Sequence, residues 1–158
     1  MSEPAFDELL RRLAAADVEF VVVGGLAVNA WGVVRGTKDV DVVVSSEPEN
    51  VRRVAEVAVA AGGRVQQEGA FLGSPISIAA ALAAGGQVAI ETDLGRLDVV
   101  QGLDGVPSYD ELRPRASEAE ILGVTVAVCS VDDLKAMKRA AGRTRDLADL
   151  EDLEAATS

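Results

Sequence analysis

The chain has 158 residues, 49% of them hydrophobic and 26% charged, a composition that suits one ordinary globular domain and excludes a disordered, collagen-like or disulfide-stapled chain. Fifteen Lys and Arg stand against 26 Asp and Glu, a net charge of −11, which argues against tight non-specific binding of DNA and leaves any phosphate chemistry to a local patch. There is no histidine, so Ser-His-Asp and Cys-His catalysis, His-ligated zinc and a histidine pH switch are all excluded.

In chain order, residues 3–16 carry Phe6, Leu9, Leu10 and Leu13 at i, i+3, i+4 and i+7, which predicts an amphipathic helix. Val18–Val23 is a β-branched strand that runs into a Gly24-Gly25 turn, and Leu26–Trp31 is a short helix. Asp39–Val44 is the second strand, and a helix over about 48–61 opens at Glu47-Pro48 and stops at Gly62-Gly63. A weak strand near 64–68, a helix near 75–84 and the strands Gln87–Thr92 and Leu97–Gln101 follow, the last two joined by a hairpin turn at Asp93–Arg96. A helix near 108–114, strands near 117–121 and 124–129, and helices over 131–141 and about 146–155 complete the order. Gly69–Ile90 carries no charge over 22 residues. Its glycines, serines and proline break it up, and its apolar content is mostly alanine, so a buried helix between turns is expected rather than a membrane span. The expected architecture is α+β, a mixed sheet flanked by helices in a single domain over 1–158, with C-terminal helices over 131–155 packing on it. The lone Cys129 cannot close an intramolecular disulfide, and Met1–Leu13 has no apolar leader core, so a cytoplasmic location is expected.

The residues that carry chemistry start at Asp39-Val40-Asp41. Successive strand side chains alternate faces, so both carboxylates project to one side. At an exposed strand end such a pair needs no ligand. Here it begins an apolar strand, where two unscreened charges are costly and a hard cation such as Mg²⁺, bound through oxygens, would offset that cost. Thirteen residues separate this pair from Gly24-Gly25, where glycines between strand and helix let backbone N–H groups approach a phosphate. Arg35-Gly-Thr-Lys38 adds two cations and a hydroxyl beside the acids, a suitable setting for a metal-bridged polyphosphate. From Leu134 to Arg145 there are five cations and no anion, and from Asp146 to Glu154 five anions and no cation, which a helix hairpin with complementary charged faces would also explain. Lys135 and Lys138 are at i, i+3 and can face one site together.

Strand, Gly24-Gly25, helix and then Arg35-x-Thr37-x-Asp39-x-Asp41 resembles the nucleotidyltransferase superfamily related to DNA polymerase β. The segment Asp133–Asp149, a Lys-rich helix followed by Arg-Asp-x-x-Asp, is similar to minimal bacterial nucleotidyltransferases of the AbiEii toxin type. The resemblance implies a palm-like fold and transfer of a nucleoside monophosphate from an NTP to an acceptor, a tRNA end or a protein side chain, with release of pyrophosphate. It implies Mg²⁺, or Mn²⁺, held by Asp39, Asp41 and a third carboxylate from a later strand. For that third ligand Asp98 ranks first, with Glu91 and Asp93 as competitors. Gly24, Gly25, Arg35, Thr37, Lys38, Lys135, Lys138, Arg143 and Asp146 are the expected nucleotide and phosphate contacts. A cognate toxin or antitoxin, or a second copy of the chain, is an expected partner. Two other readings compete: a nucleotide-binding or partner-docking module without transfer activity, such as an antitoxin, and an unrelated α+β domain with surface acids.

Overall fold

The computed structural model describes residues 4–157; Met1–Glu3, and with them the first residue of the expected opening helix, and Ser158 lie outside the described residues. Helix α1 (Phe6–Ala15) buries Phe6, Leu9, Leu10 and Leu13 and carries Asp7 and Glu8 in its first turn and Arg12 in its last, charges that complement the helix dipole. Strand β1 (Phe20–Val23) is buried at every position. Helix α2 (Gly24–Ala30) follows without a connecting loop, so the glycine pair forms the first turn of the helix rather than a turn before it. Gly24 itself has φ +66, a left-handed conformation in which the chain changes direction directly from strand to helix.

The remaining elements are β2 (Asp39–Val44), α3 (Pro48–Ala60), β3 (Val65–Gln67), β4 (Ala70–Leu72), α4 (Pro75–Ala83), β5 (Gly86–Thr92), β6 (Gly95–Gln101), α5 (Tyr109–Leu112) with a 3-10 turn at Arg113–Arg115, β7 (Ser117–Ile121), β8 (Val124–Val128), α6 (Val131–Ala141) and α7 (Thr144–Thr157). Six strands form one mixed sheet in the order β5-β6-β2-β1-β8-β7. The pairs β1/β2, β5/β6 and β7/β8 are antiparallel, while β2/β6 and β1/β8 are parallel. The two innermost strands, β2 and β1, read as near-continuous valine because helices cover the sheet.

Two local features differ from the sequence expectation. The weak strand near 64–68 is a small hairpin, β3 with β4, turned by Glu68 and Gly69, both at positive φ. Helix α7 begins at Thr144, two residues earlier than expected, because the Asp146 carboxylate accepts a hydrogen bond from the Arg143 N–H at 3.2 Å and so caps the opening turn. The uncharged stretch Gly69–Ile90 is divided among β4, α4 and β5, and no described helix is long and apolar enough to cross a membrane. Leu134 of α6 and Leu153 of α7 join the same apolar core as the sheet. Asn50, 3% exposed, ties the ends of β1 and β2 together: it accepts from the Glu19 N–H and donates to the carbonyls of Glu19 and Ser45.

Candidate active site

Strand alternation puts Asp39 and Asp41 on one face of β2. The parallel pairing with β6 then sets Asp41 opposite Asp98 and Asp39 opposite Arg96. One carboxylate oxygen from each of Asp39, Asp41 and Asp98 lies within 4.8 Å of the other two. Among the three candidates for the third carboxylate, Asp98 joins the group. Glu91 lies across β5 opposite Arg96, and the Asp93 carboxylate occupies the space over Gly62.

Clustering these acids has an electrostatic consequence. Burial, reinforced by the charges of Asp39 and Asp98, pushes the Asp41 carboxyl up to about 7. Burial and the charge of Asp98 also raise Asp39. Asp98, 2% exposed, is held by two donors: Arg96 Nε at 2.7 Å on one oxygen and Gln87 Nε2 at 3.3 Å on the other. Three hard oxygen donors, one from each of Asp39, Asp41 and Asp98, converge in a partly desolvated setting and could hold a hard divalent cation such as Mg²⁺ or Mn²⁺.

The glycine pair backs directly onto this group. A Cβ at Gly24 would collide with the Asp41 carboxylate, and one at Gly25 would sit 2.7 Å from Thr37 Oγ1 and 3.8 Å from Arg35 Cζ. Thr37 in turn donates to the Asp39 carbonyl at 2.9 Å. Asn29 of α2 donates to the carbonyls of Val33 and Arg35 at 2.9 and 3.0 Å, so the loop that carries the cations is fastened to the same helix.

The C-terminal helices supply a buried charge cluster. Lys138, 8% exposed, pairs with Asp146 at 3.3 Å and Asp149 at 2.9 Å. Asp149 also holds Arg35 at 2.5 Å, and Asp146, 1% exposed, takes Arg143 Nε at 2.6 Å. Burial alone would raise the Asp146 carboxyl, but the hydrogen bond from Arg143 and the charge of Lys138 outweigh it and hold the group below its ordinary value. The hydrogen bond to Asp146, with a smaller contribution from the charge of Asp41, keeps Arg143 firmly protonated. The structure therefore draws Arg35, Lys138, Arg143 and Asp146 into one network. Lys38 is exposed and Lys135 half-buried, and no ion pair among the described residues involves either.

Sequence reasoning missed Arg96, Gln87, Asn29 and Asp149 as partners of the site. Arg96 carried a legible signal, since it precedes Asp98 by two residues on one strand face. Asp149 also had one, because Asp146 and Asp149 at i, i+3 share a helix face. A cavity of about 660 Å³ is lined by Val44, Ser45, Leu82, Gln101 and Tyr109 among others. It opens at the far end of β2 and β6, three strand residues beyond Asp41 and Asp98, roughly 10 Å away at about 3.3 Å per residue. The converging acids, rather than this cavity, mark the site of chemistry.

No curated protein matches the chain by sequence. Solved structures share its fold. The lincosamide antibiotic adenylyltransferase LnuA, lincomycin-bound, is 13% identical with a TM-score of 0.68 over 99% of both chains. The antibiotic-resistance factor ANT(2'')-Ia is 16% identical with a TM-score of 0.65, over 98% of this chain and 83% of that one. An antigenic nucleotidyltransferase-like protein from Paracoccidioides brasiliensis is 17% identical with a TM-score of 0.62, over 98% of this chain and 78% of the other. At these identities the likeness shows the nucleotidyltransferase fold, and the family model described as "Nucleotidyltransferase of unknown function (DUF6036)" matches residues 5–157: the chain belongs to that family.

Proposed function

We propose that this nucleotidyltransferase moves a nucleoside monophosphate from an NTP to an acceptor hydroxyl: the acceptor oxygen bonds to the α-phosphorus, the α–β bridging bond breaks, and pyrophosphate leaves. The carrying observation is the convergence of Asp39, Asp41 and Asp98 within 4.8 Å across two parallel strands, backed by Gly24. Bound Mg²⁺ or Mn²⁺ would neutralise the triphosphate and acidify the acceptor hydroxyl. Asp39 and Asp41 would hold it. Asp98 would be a further ligand and the acceptor of the hydroxyl proton. Gly24 and Gly25 let the nucleotide's phosphates approach the backbone of α2. Arg35, Thr37, Lys38, Lys135, Lys138 and Arg143 orient and neutralise the leaving pyrophosphate, with Asp146 fixing two of those cations. On this reading the chain is one domain that works in the cytoplasm, and its C-terminal Arg-Asp-x-x-Asp segment relates it to the AbiEii-type minimal nucleotidyltransferases and a toxin–antitoxin pair.

Label transfer from α-³²P-NTPs to tRNA, to protein and to small polyhydroxylated molecules identifies the acceptor. The net charge of −11 favours a small or cationic acceptor over RNA, and of the fold neighbours LnuA is lincomycin-bound and ANT(2'')-Ia is in complex with adenylyl-2''-tobramycin. Asp41→Asn abolishes Mg²⁺-dependent NTP consumption if the triad is catalytic; an unchanged rate overturns the assignment. One observation favours a second reading, a nucleotide-binding or docking module such as an antitoxin: Arg35, Lys138 and Arg143 are already paired with Asp146 and Asp149. Calorimetric binding of ATP and Mg²⁺ without label transfer to any acceptor class would select that reading.

A further inference from the structure

Asp98 is the most buried of the three acids, and a guanidinium already meets it. Arg96 lies on the same face of β6, two residues away, with Nε 2.7 Å from Asp98 Oδ1. Across the sheet Arg96 is in register with Asp39 of β2 on one side and Glu91 of β5 on the other, so carboxylates flank it on both sides. Its side chain is 41% exposed, which leaves it room to turn. The Asp98 oxygen not held by Arg96 takes Gln87, and three carboxylates within 4.8 Å repel one another unless a cation lies among them.

We infer that Arg96 is an internal counter-ion of the metal-free triad, which a divalent cation displaces from Asp98 and which then pairs with Glu91. Arg96 thus sets the metal affinity of the site: the chain folds with its acids partly neutralised, and metal binding has to break the Arg96–Asp98 contact. This inference rests on the triad being a divalent-cation site, as proposed above.

The test is Mn²⁺ binding to the nucleotide-free full chain, followed by electron paramagnetic resonance, with circular dichroism as a check on folding. Arg96→Met removes the competing charge and tightens Mn²⁺ binding roughly tenfold, the scale of one unit charge near the ion at the effective dielectric of a protein surface. Arg96→Lys keeps the charge and stays within about twofold of the wild type by the same electrostatic argument. Unchanged or weaker binding in Arg96→Met overturns the inference. Glu91→Gln weakens binding several-fold in the wild-type background and by less in the Arg96→Met background, because the turned guanidinium needs Glu91 only when it is present. Equal effects in both backgrounds overturn the transfer to Glu91. Wild-type and Asp41→Asn chains run in parallel separate the two failures. Binding that Asp41→Asn abolishes but Arg96→Met leaves unaltered removes only the counter-ion, whereas no Mn²⁺ binding to the wild type removes both the metal site and the inference.

Discussion

Asp41 is where the chemistry of the site is easiest to read by titration. Its carboxyl is raised from 3.8 to about 7, chiefly by burial and then by Asp39 and Asp98. Between those two pH values the metal-free folded chain keeps a proton that the unfolded chain has released, so stability falls as pH rises through the window and levels off above it. Asp41→Asn removes this cost. In EDTA at pH 8 the variant is expected to melt above the wild type, with the gap shrinking toward pH 4, and adding Mg²⁺ to the wild type alone reverses the order. Scanning calorimetry across pH 4–8 checks this, and identical profiles would remove Asp41 as the strained member of the triad. Gly24 is the second diagnostic residue. It combines φ +66 with direct contact to the Asp41 carboxylate, so Gly24→Ala incurs about 1–2 kcal/mol for the left-handed backbone and displaces the Asp41 carboxylate as well. Urea denaturation is expected to register the first effect and loss of Mn²⁺ binding the second.

At the scale of elements, the hairpin of α6 and α7 is held by opposite charge in two different settings. Lys138 is buried between Asp146 and Asp149, while Arg139 pairs with Glu154 at the surface. Lys138→Met leaves two buried carboxylates with less compensation and should cost about 3–5 kcal/mol in urea denaturation. Arg139→Ala, by contrast, loses at most about 1 kcal/mol, as exposed pairs do. The same cluster fastens the hairpin to the Arg35 loop through Asp149. Asp149→Asn is therefore expected to loosen that loop and to raise the KM for the nucleotide more than it lowers kcat. An unaltered KM would show that Arg35 is positioned without α7. The alternating charge blocks made this helix hairpin legible in the sequence. That Lys138 turns inward was not legible, because a helical period tells which residues share a face and not what the face meets.

At the scale of the whole molecule, the charge of −11 predicts that sodium chloride up to about 0.5 M raises the melting temperature by screening repulsion among like charges. A flat or falling dependence in thermal melts would mean that local pairs such as those of α3, Arg52 with Glu49 and Glu56, dominate the surface electrostatics. Within that excess of acid, Arg35, Lys138 and Arg143 form a small basic network with Asp146 and Asp149.

The sequence by itself determined the kinds of element and the chemistry available. Local periodicity placed β2 at Asp39–Val44 and aligned Asp39 with Asp41, and the absence of histidine excluded imidazole catalysis and histidine-ligated metal. The turn of β3–β4 stayed hidden because Glu68-Gly69 lacks the Asn-Gly or Asp-Gly signature of a two-residue hairpin. Only the tertiary structure decided that Asp98, rather than Glu91 or Asp93, meets the other two acids, and that Arg35, Lys138 and Arg143 are bound by Asp146 and Asp149. Both outcomes depend on which strand lies beside which and in what register, and on pairings between residues up to 114 positions apart, which no local pattern along the chain encodes.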